Sequence, residues 1–424
     1  VTNFKTLYNQ YPRQYWLMIL GIVISTAGGG MVWPFMLIYA GGKLGLPLSA
    51  VASLISINAG VGLFASFLAG TLADRIGRKI VMVSSLVMMG VAYLLLINAE
   101  TYLQFALLMG LVGLSNPLYQ VGADAMLADM IPAHQRTDAY AINRIAYNAA
   151  FGIGPAIGGF LASTSYTLAF YGASAGFFIY AIIWFFFAHE TLDKTVREEI
   201  TSALAGQVQV QNEAARSDGY IHVFKDKAYM AFVTLFAVGM IAPSILWILL
   251  PVYTKTNFNV PEALYGWIPT MNAFMCVFLQ YAVSNQTRKF KTLPVTSVGM
   301  LVYAFGAGSV ALMTGFTGFW LSMVILTLGE LILIPTASKY VADIAPEDLR
   351  GRYMSLYWFG WGVSRTLAPL IGGYLNDNIS PRSIWIGGLL FGLTSTLGLV
   401  LLNSLTNART ALQTQPELDT NHRA

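Results

Sequence analysis

Residues 70–79 read Gly-Thr-Leu-Ala-Asp-Arg-Ile-Gly-Arg-Lys, GTLADRIGRK. Charged residues make up 10% of the chain, yet Asp74, Arg75, Arg78 and Lys79 crowd into six positions here. Apolar runs flank them, VASLISINAGVGLFASFLA at 51–69 and IVMVSSLVMMGVAYLLLI at 80–97. Each run has the length that a bilayer's hydrocarbon core demands of a helix. The stretch therefore reads as a short polar loop joining two membrane spans. Gly70 and Gly77 let it turn closely at little steric cost.

The rest of the chain agrees with a lipid solvent. Hydrophobic residues are 56% of 424, mean hydropathy is +0.61, and a soluble domain usually carries about a quarter charged residues. A net charge of +4 gives no basic domain for nucleic acid. The single cysteine, Cys276, excludes an internal disulfide framework, and four scattered histidines have no ligand spacing. No metal and no cofactor are expected. GAGS at 306–309 lacks the Gly-Lys-Ser/Thr ending of a phosphate loop, which argues against an ATP-driven pump.

Apolar segments recur at 15–40, 50–73, 80–98, 102–127, 139–162, 168–188, 228–253, 262–284, 294–314, 317–341, 353–375 and 383–405. The first is too long for a signal-peptide core and reads as a span. The expected class is an all-α integral membrane protein with twelve transmembrane helices in two six-helix bundles, 15–188 and 228–405. A segment at 1–14, a central loop at 189–227 and a tail at 406–424 flank them. Within that loop, 189–206 has the composition of a surface amphipathic helix and equally of a plain linker. Of the 24 Lys and Arg, only Lys43, Lys255 and Arg382 fall on the side opposite the termini, and Arg144 and Arg365 fall inside spans. That asymmetry puts both termini in the cytoplasm.

An internal repeat marks the halves. ADMIPAHQR at 128–136 aligns with ADIAPEDLR at 342–350, and GPAIGGFL at 154–161 with APLIGGYL at 368–375, at one offset of 214. Chance apolar similarity does not align Asp, Pro, Arg and Pro-x-x-Gly-Gly without a gap. Such parallel repeats build transporters with a midplane site between the halves.

At this point the chain resembles the major facilitator superfamily. GTLADRIGRK is similar to that superfamily's signature between spans 2 and 3. GIGPAIGG at 152–159, with Gly152, Gly154, Pro155, Gly158 and Gly159, resembles the span-5 antiporter signature. Together they resemble the twelve-span drug:proton antiporter branch, whose members perform multidrug efflux. Many members of that branch carry an arginine in span 4, and this span has none. The resemblance implies a monomer in a bacterial plasma membrane that exchanges small molecules for protons by alternating access, driven by the proton gradient.

The resemblance also implies a conformational latch built from Gly70, Asp74, Arg75, Gly77, Arg78 and Asp129. Asp74 would meet the N-terminal end of span 11, where the helix dipole is positive, and Arg78 would reach Asp129. The plainer reading is that these basic residues only fix topology. The span-5 glycines likewise read as close helix packing, and by resemblance as a seal between halves.

Four charged residues fall inside spans and away from their ends, Asp124, Arg144, Glu330 and Arg365. Each costs about 2.5–3.5 kcal/mol at a helix centre, so each is a functional candidate by default. Glu330 and Arg365 lie at matching depth and are expected to pair, as are Asp124 and Arg144. Static pairs that help the fold are the competing reading. Glu330 is the first choice for a proton site, since desolvation disfavours a charged carboxylate, and Asp124 the second. The substrate cavity is expected to draw on Trp33, Asn116, Tyr119, Gln120, Asn143, Asn148, Asn272, Tyr357 and Trp361. Export of amphipathic or lipophilic compounds leads; carriage of a defined solute such as a sugar, amino acid, siderophore or lysophospholipid follows. A transport-dead receptor is the third alternative.

Overall fold

A computed structural model describes residues 8–192, 220–347 and 349–413. Most of the 189–206 segment lies outside these. The first half holds α1 (Arg13–Val32), α2 (Met36–Leu44), α3 (Leu48–Ile76), α4 (Arg78–Ile97), α5 (Tyr102–Met130), α6 (Arg136–Thr164) and α7 (Tyr166–Phe187). The second half holds α8 (Lys227–Phe258), α9 (Glu262–Tyr265), α10 (Trp267–Thr287), α11 (Thr292–Ser309), α12 (Phe316–Ile344), α13 (Arg350–Asn378) and α14 (Ser383–Gln413). Leaving aside the short α2 and α9, twelve long helices run alternately between two faces. The face holding Arg13, the α3–α4 turn and the α14 end is called near here, and the opposite one far.

Local chemistry explains the breaks. Pro34 lacks an N–H, and the first span kinks there through a 3₁₀ turn at Trp33–Phe35 before α2 continues. Gly45 ends α2 in the left-handed conformation, at φ 62°. Gly77, at φ 111°, separates α3 from α4. Thr101 opens α5 with a reciprocal capping box to Gln104. The expected eighth span is corrected at its start: 262–265 forms the separate helix α9, and the span proper begins at Trp267.

The halves repeat one packing plan. In the first, α1 packs on α6 and α7, α3 on α5, and α4 on α5 and α7. In the second, α8 packs on α13 and α14, α10 on α12, and α11 on α12 and α14. These are the same five pairings by position in the repeat. Two symmetric contacts join the halves, α3 with α13 and α6 with α10. Among the described residues ten segments qualify by length and hydropathy as membrane spans, α1 and α2 counting as one; α10 and α13 do not. Both belong to the inter-half contacts, where polar side chains find partners or a cavity instead of lipid.

Candidate functional site

Three cavities run into one another between the halves. The largest, about 930 Å³, lies among Asp124, Tyr140, Asn143 and Arg144 of α5 and α6 and Glu330, Tyr357 and Trp361 of α12 and α13. A second, about 280 Å³, touches Trp33, Asn116, Tyr119 and Gln120. The third, about 340 Å³, touches Asn148, Trp247, Asn272, Cys276 and Glu330. All nine residues expected at a cavity border at least one of these. Tyr147 and Arg365 border all three. Tyr147, which the sequence did not single out, stacks on Phe151, with ring planes 9° apart. Phe151 in turn meets Trp247 of the other half edge-on at 5.8 Å.

The charged residues inside the spans share this space in an unexpected pattern. Asn272 donates to Glu330 Oε2 at 2.9 Å and to Thr327 Oγ1 at 2.9 Å. Asp124 lies one turn after Gln120 on α5, and both border the largest cavity. The ion pairs among the described residues are Arg78–Asp74, Arg78–Asp129, Lys255–Glu262 and Lys339–Asp343. Neither expected intramembrane pair is among them, so Glu330–Arg365 and Asp124–Arg144 are corrected. A neutral amide on a neighbouring helix holds Glu330, while the two arginines border open space.

On the near face, Arg78 pairs with Asp129 and donates to the Ala125 carbonyl at 3.3 Å. Thr191 also donates to Asp129, at 2.8 Å. Glu190, missed in the sequence, accepts from the Arg78 and Lys79 amides at 3.1 and 3.0 Å. It caps the first turn of α4 from the end of α7, where negative charge suits the helix dipole. Gly77 makes room for it, since a Cβ there would lie 2.5 Å from Glu190 Oε2. Gly70 has open space around it. Asp74 stands 4.0 Å from Arg78, and no described hydrogen bond or ion pair joins it to α13, a correction to the expected contact. The described contacts of Asp74, Arg78 and Asp129 lie within the first half.

The far face is sealed across the halves. A Cβ on Gly159 would lie 2.3 Å from the Glu262 carbonyl oxygen, one on Gly152 2.7 Å from Ala273 Cβ, and one on Gly373 2.6 Å from Ser49 Cα. Gly158 and Gly154 instead press on α1, 2.3 Å from the Met31 oxygen and 2.6 Å from the Ala27 oxygen by the same measure. Pro155 sits inside α6, and its carbonyl approaches Gly266. Polar contacts finish the seal. Asp377 accepts from the Leu48 and Ser49 amides at 3.3 and 2.7 Å, capping α3 from the other half. Tyr166 donates to Glu262, which Lys255 also reaches at 3.0 Å. Burial opposes the Glu262 charge, but the Tyr166 and Lys255 hydrogen bonds outweigh it and hold this carboxyl below its ordinary range. The only sequence cue to Glu262 was an acid near Lys255 in a nearly uncharged loop.

The family model described as Major Facilitator Superfamily matches residues 18–369, with a second match over 230–420. The chain is 25% identical to a Na(+), Li(+), K(+)/H(+) antiporter of Planococcus maritimus, over 91% of this chain and 92% of that one. It is 24% identical to the quinolone resistance protein NorA of Staphylococcus aureus, over 86% and 90%. Among solved structures, a peptide transporter POT with bound sulfate superposes with a TM-score of 0.76 at 14% identity, covering 94% of this chain and 95% of the other. The nucleoside transporter NupG does so at 0.76 and 12%, covering 91% and 98%.

Proposed function

Since the chain belongs to the major facilitator superfamily and is a multi-pass membrane transporter, we propose that it exports amphipathic or lipophilic small molecules in exchange for protons. The observation that carries the coupling is Glu330. It sits on α12 at the edge of two of the cavities, held by the buried amide of Asn272, with no cation in ion-pair range among the described residues. A carboxyl in that setting gains and loses a proton with changes in hydration. The names of two relatives, a cation/proton antiporter and a quinolone resistance protein, agree with the reading.

The mechanism follows from the two faces. With the far face sealed by α3–α13 and α6–α10, solute enters from the near face, taken as cytoplasmic. Closing the near face requires the far seam to part, and the Gly159 and Gly373 contacts break as rigid units. Protonation of Glu330 from outside removes a charge from the cavity and biases which closure is preferred, and release of the proton on the near side resets it. Asp124, nearer the near face, is the second proton carrier. Carriage of a defined solute is the other reading, favoured by Arg365.

Proteoliposomes test the coupling. With an imposed pH gradient and a lipophilic dye substrate, Glu330→Gln is expected to abolish uphill transport while substrate-for-substrate exchange continues, because the amide mimics the neutral acid. Full pH-driven transport by Glu330→Gln alongside its loss in Asp124→Asn would move the proton site to α5. Orientation is read separately: in a Cys276→Ser background, Asn259→Cys should react with an impermeant thiol reagent on intact cells. Absence of labelling there, with labelling in inverted vesicles, would reverse the topology.

A further inference from the structure

We propose that the cavity binds amphipathic anions, with Arg365 as the residue that receives the carboxylate, sulfonate or phosphate group and the surrounding aromatic rings as the wall for the apolar body. The inference rests on the transport reading above and names the substrate class of that same cavity.

Arg365 lies midway along α13, far from either end of the helix. It borders all three cavities, and no described residue gives it a hydrogen bond or an ion pair. Glu330, the carboxylate on the neighbouring helix, is already engaged by Asn272, and neither Glu330 nor Asp124 is ion-paired with Arg365 among the described residues. Glu330 therefore has its donor, and Arg365 has no described acceptor. A guanidinium presents five N–H donors in a fixed fork that matches a two-oxygen acid group, and an arginine at this depth is retained where an anion or water meets it.

The walls around it are apolar and flat. Trp33, Tyr147 and Phe151 approach from the first half and Trp247 and Trp361 from the second. Trp358 and Trp361 stack with planes 10° apart at the cavity rim. A solute with an aromatic or alkyl body and one acidic head fills this shape and supplies the missing acceptor. A lipophilic cation would find its head beside Arg365 and Arg144 and would have to compete with Asn272 for Glu330.

The test uses two probes with one body and opposite heads, 1-pyrenebutanoate and 1-pyrenebutylammonium. Binding to the purified full chain in phosphatidylcholine nanodiscs, without any gradient, is read from energy transfer out of tryptophan. The anion is expected to bind at least about tenfold more tightly than the cation. Arg365→Gln is expected to erase that preference by weakening the anion alone, and Arg365→Lys to keep part of it. Equal binding of the two probes by the wild-type chain overturns the proposal without recourse to any variant. So does an anion preference that persists in folded, monodisperse Arg365→Gln. Repeating the titration in phosphatidylglycerol nanodiscs separates sources of the anion: unchanged affinity assigns the site to a free solute, and displacement of the probe assigns it to a lipid headgroup and overturns the proposal. Since no proton gradient is present, a failure of proton coupling in liposomes leaves this result untouched, and the reverse holds as well.

Discussion

Helices α6 and α13 carry the same Pro-x-x-Gly-Gly sequence at positions 155–159 and 369–373, and the two copies are used alike. The first glycine of each pair presses on the opening helix of its own half, Gly158 on Met31 and Gly372 on Leu249. The second presses across the seam, Gly159 on the Glu262 backbone and Gly373 on the Ser49 backbone. Those two targets are themselves equivalent in the repeat, Ser49 at the start of α3 and Glu262 on α9, just before the second span of its half. The two seams therefore share their backbone contacts and differ in their polar ones. Asp377 caps α3 directly, whereas its counterpart Ser163 bonds within its own helix, and Glu262 takes Tyr166 and Lys255 instead. Chemistry diverges further at the midplane, where Glu330 stands opposite Asn116 in the repeat, and at the near face. There Arg78 is gripped by Asp129 and flanked by the Glu190 cap, while in the second copy Asp343, the counterpart of Asp129, is in an exposed pair with Lys339. Duplication supplies a symmetric frame, and on the proposed function the departures from symmetry are where direction and coupling would arise.

Each departure makes a way to break the comparison. The largest effect is expected at the midplane. Glu330→Gln should eliminate pH-driven accumulation, and Asn116→Asp, at the equivalent place, should reduce turnover far less. Comparable losses from both would mean that the halves share the coupling role.

Next come the seams. Gly159→Val and Gly373→Val each force a side chain into backbone of the other half, and overpacking of this kind costs about 1–3 kcal/mol. Both should weaken the far-closed state and lower turnover by about tenfold or more, since about 1.4 kcal/mol is a factor of ten. Gly60→Val, whose Cβ would stand 3.7 Å from Thr366, is the control on the α3–α13 seam. A marked difference between the Gly159 and Gly373 variants would show that the seams do not part together. The measurement is initial transport rate beside thermal stability of the purified variants.

Smaller effects separate the near-face copies. Asp129→Asn removes the partner of a half-buried arginine, and Glu190→Gln removes the charge from a helix cap, a contact worth about 0.5–2 kcal/mol. Each should slow transport several-fold. Asp343→Asn breaks an exposed pair worth about 0–1 kcal/mol and should change the rate little.

The smallest effect concerns pH. Glu262 is held below its ordinary range by Tyr166 and Lys255, against a reference near 4.3. A carboxyl lowered on folding contributes stability above its unfolded pKa and loses it as pH falls through the folded one. The far-seam contact should therefore be constant from about pH 6 to 9 and fade only in acid below about 4. A change in Tyr166–Glu262 proximity near pH 7, by crosslinking or fluorescence at the seam, would attach pH sensing to the seam as well as to Glu330.

The sequence displayed much of this frame because length, hydropathy and the 214-residue offset survive any rotation of a helix about its axis. They marked where the long helices lie, and the nine residues expected at a cavity each border at least one of the three cavities. Side-chain partners were less legible. In lipid, the outward and inward faces of a helix are both apolar, so the moment that would set its rotation is weak. Equal depth suggested Glu330–Arg365, but depth alone does not say which neighbour faces which, and Asn272 on α10 occupies the place. Glu190 and Tyr147 escaped notice for related reasons: one caps a helix 112 residues away, and the other is one aromatic among many.

Anticorrelated movement of the two faces under proton control is the central claim. Its most direct test places spin-label pairs in a Cys276→Ser background, one at Leu46 and Ile379 on the far face and one at His134 and Lys289 on the near face. Distances are then measured by electron resonance in nanodiscs across pH 5 to 9. The account predicts that one pair shortens as the other lengthens, with a single transition, and that Glu330→Gln holds both pairs in one arrangement at every pH. Distances that move independently of one another, or a pH response that survives intact in Glu330→Gln, would contradict it.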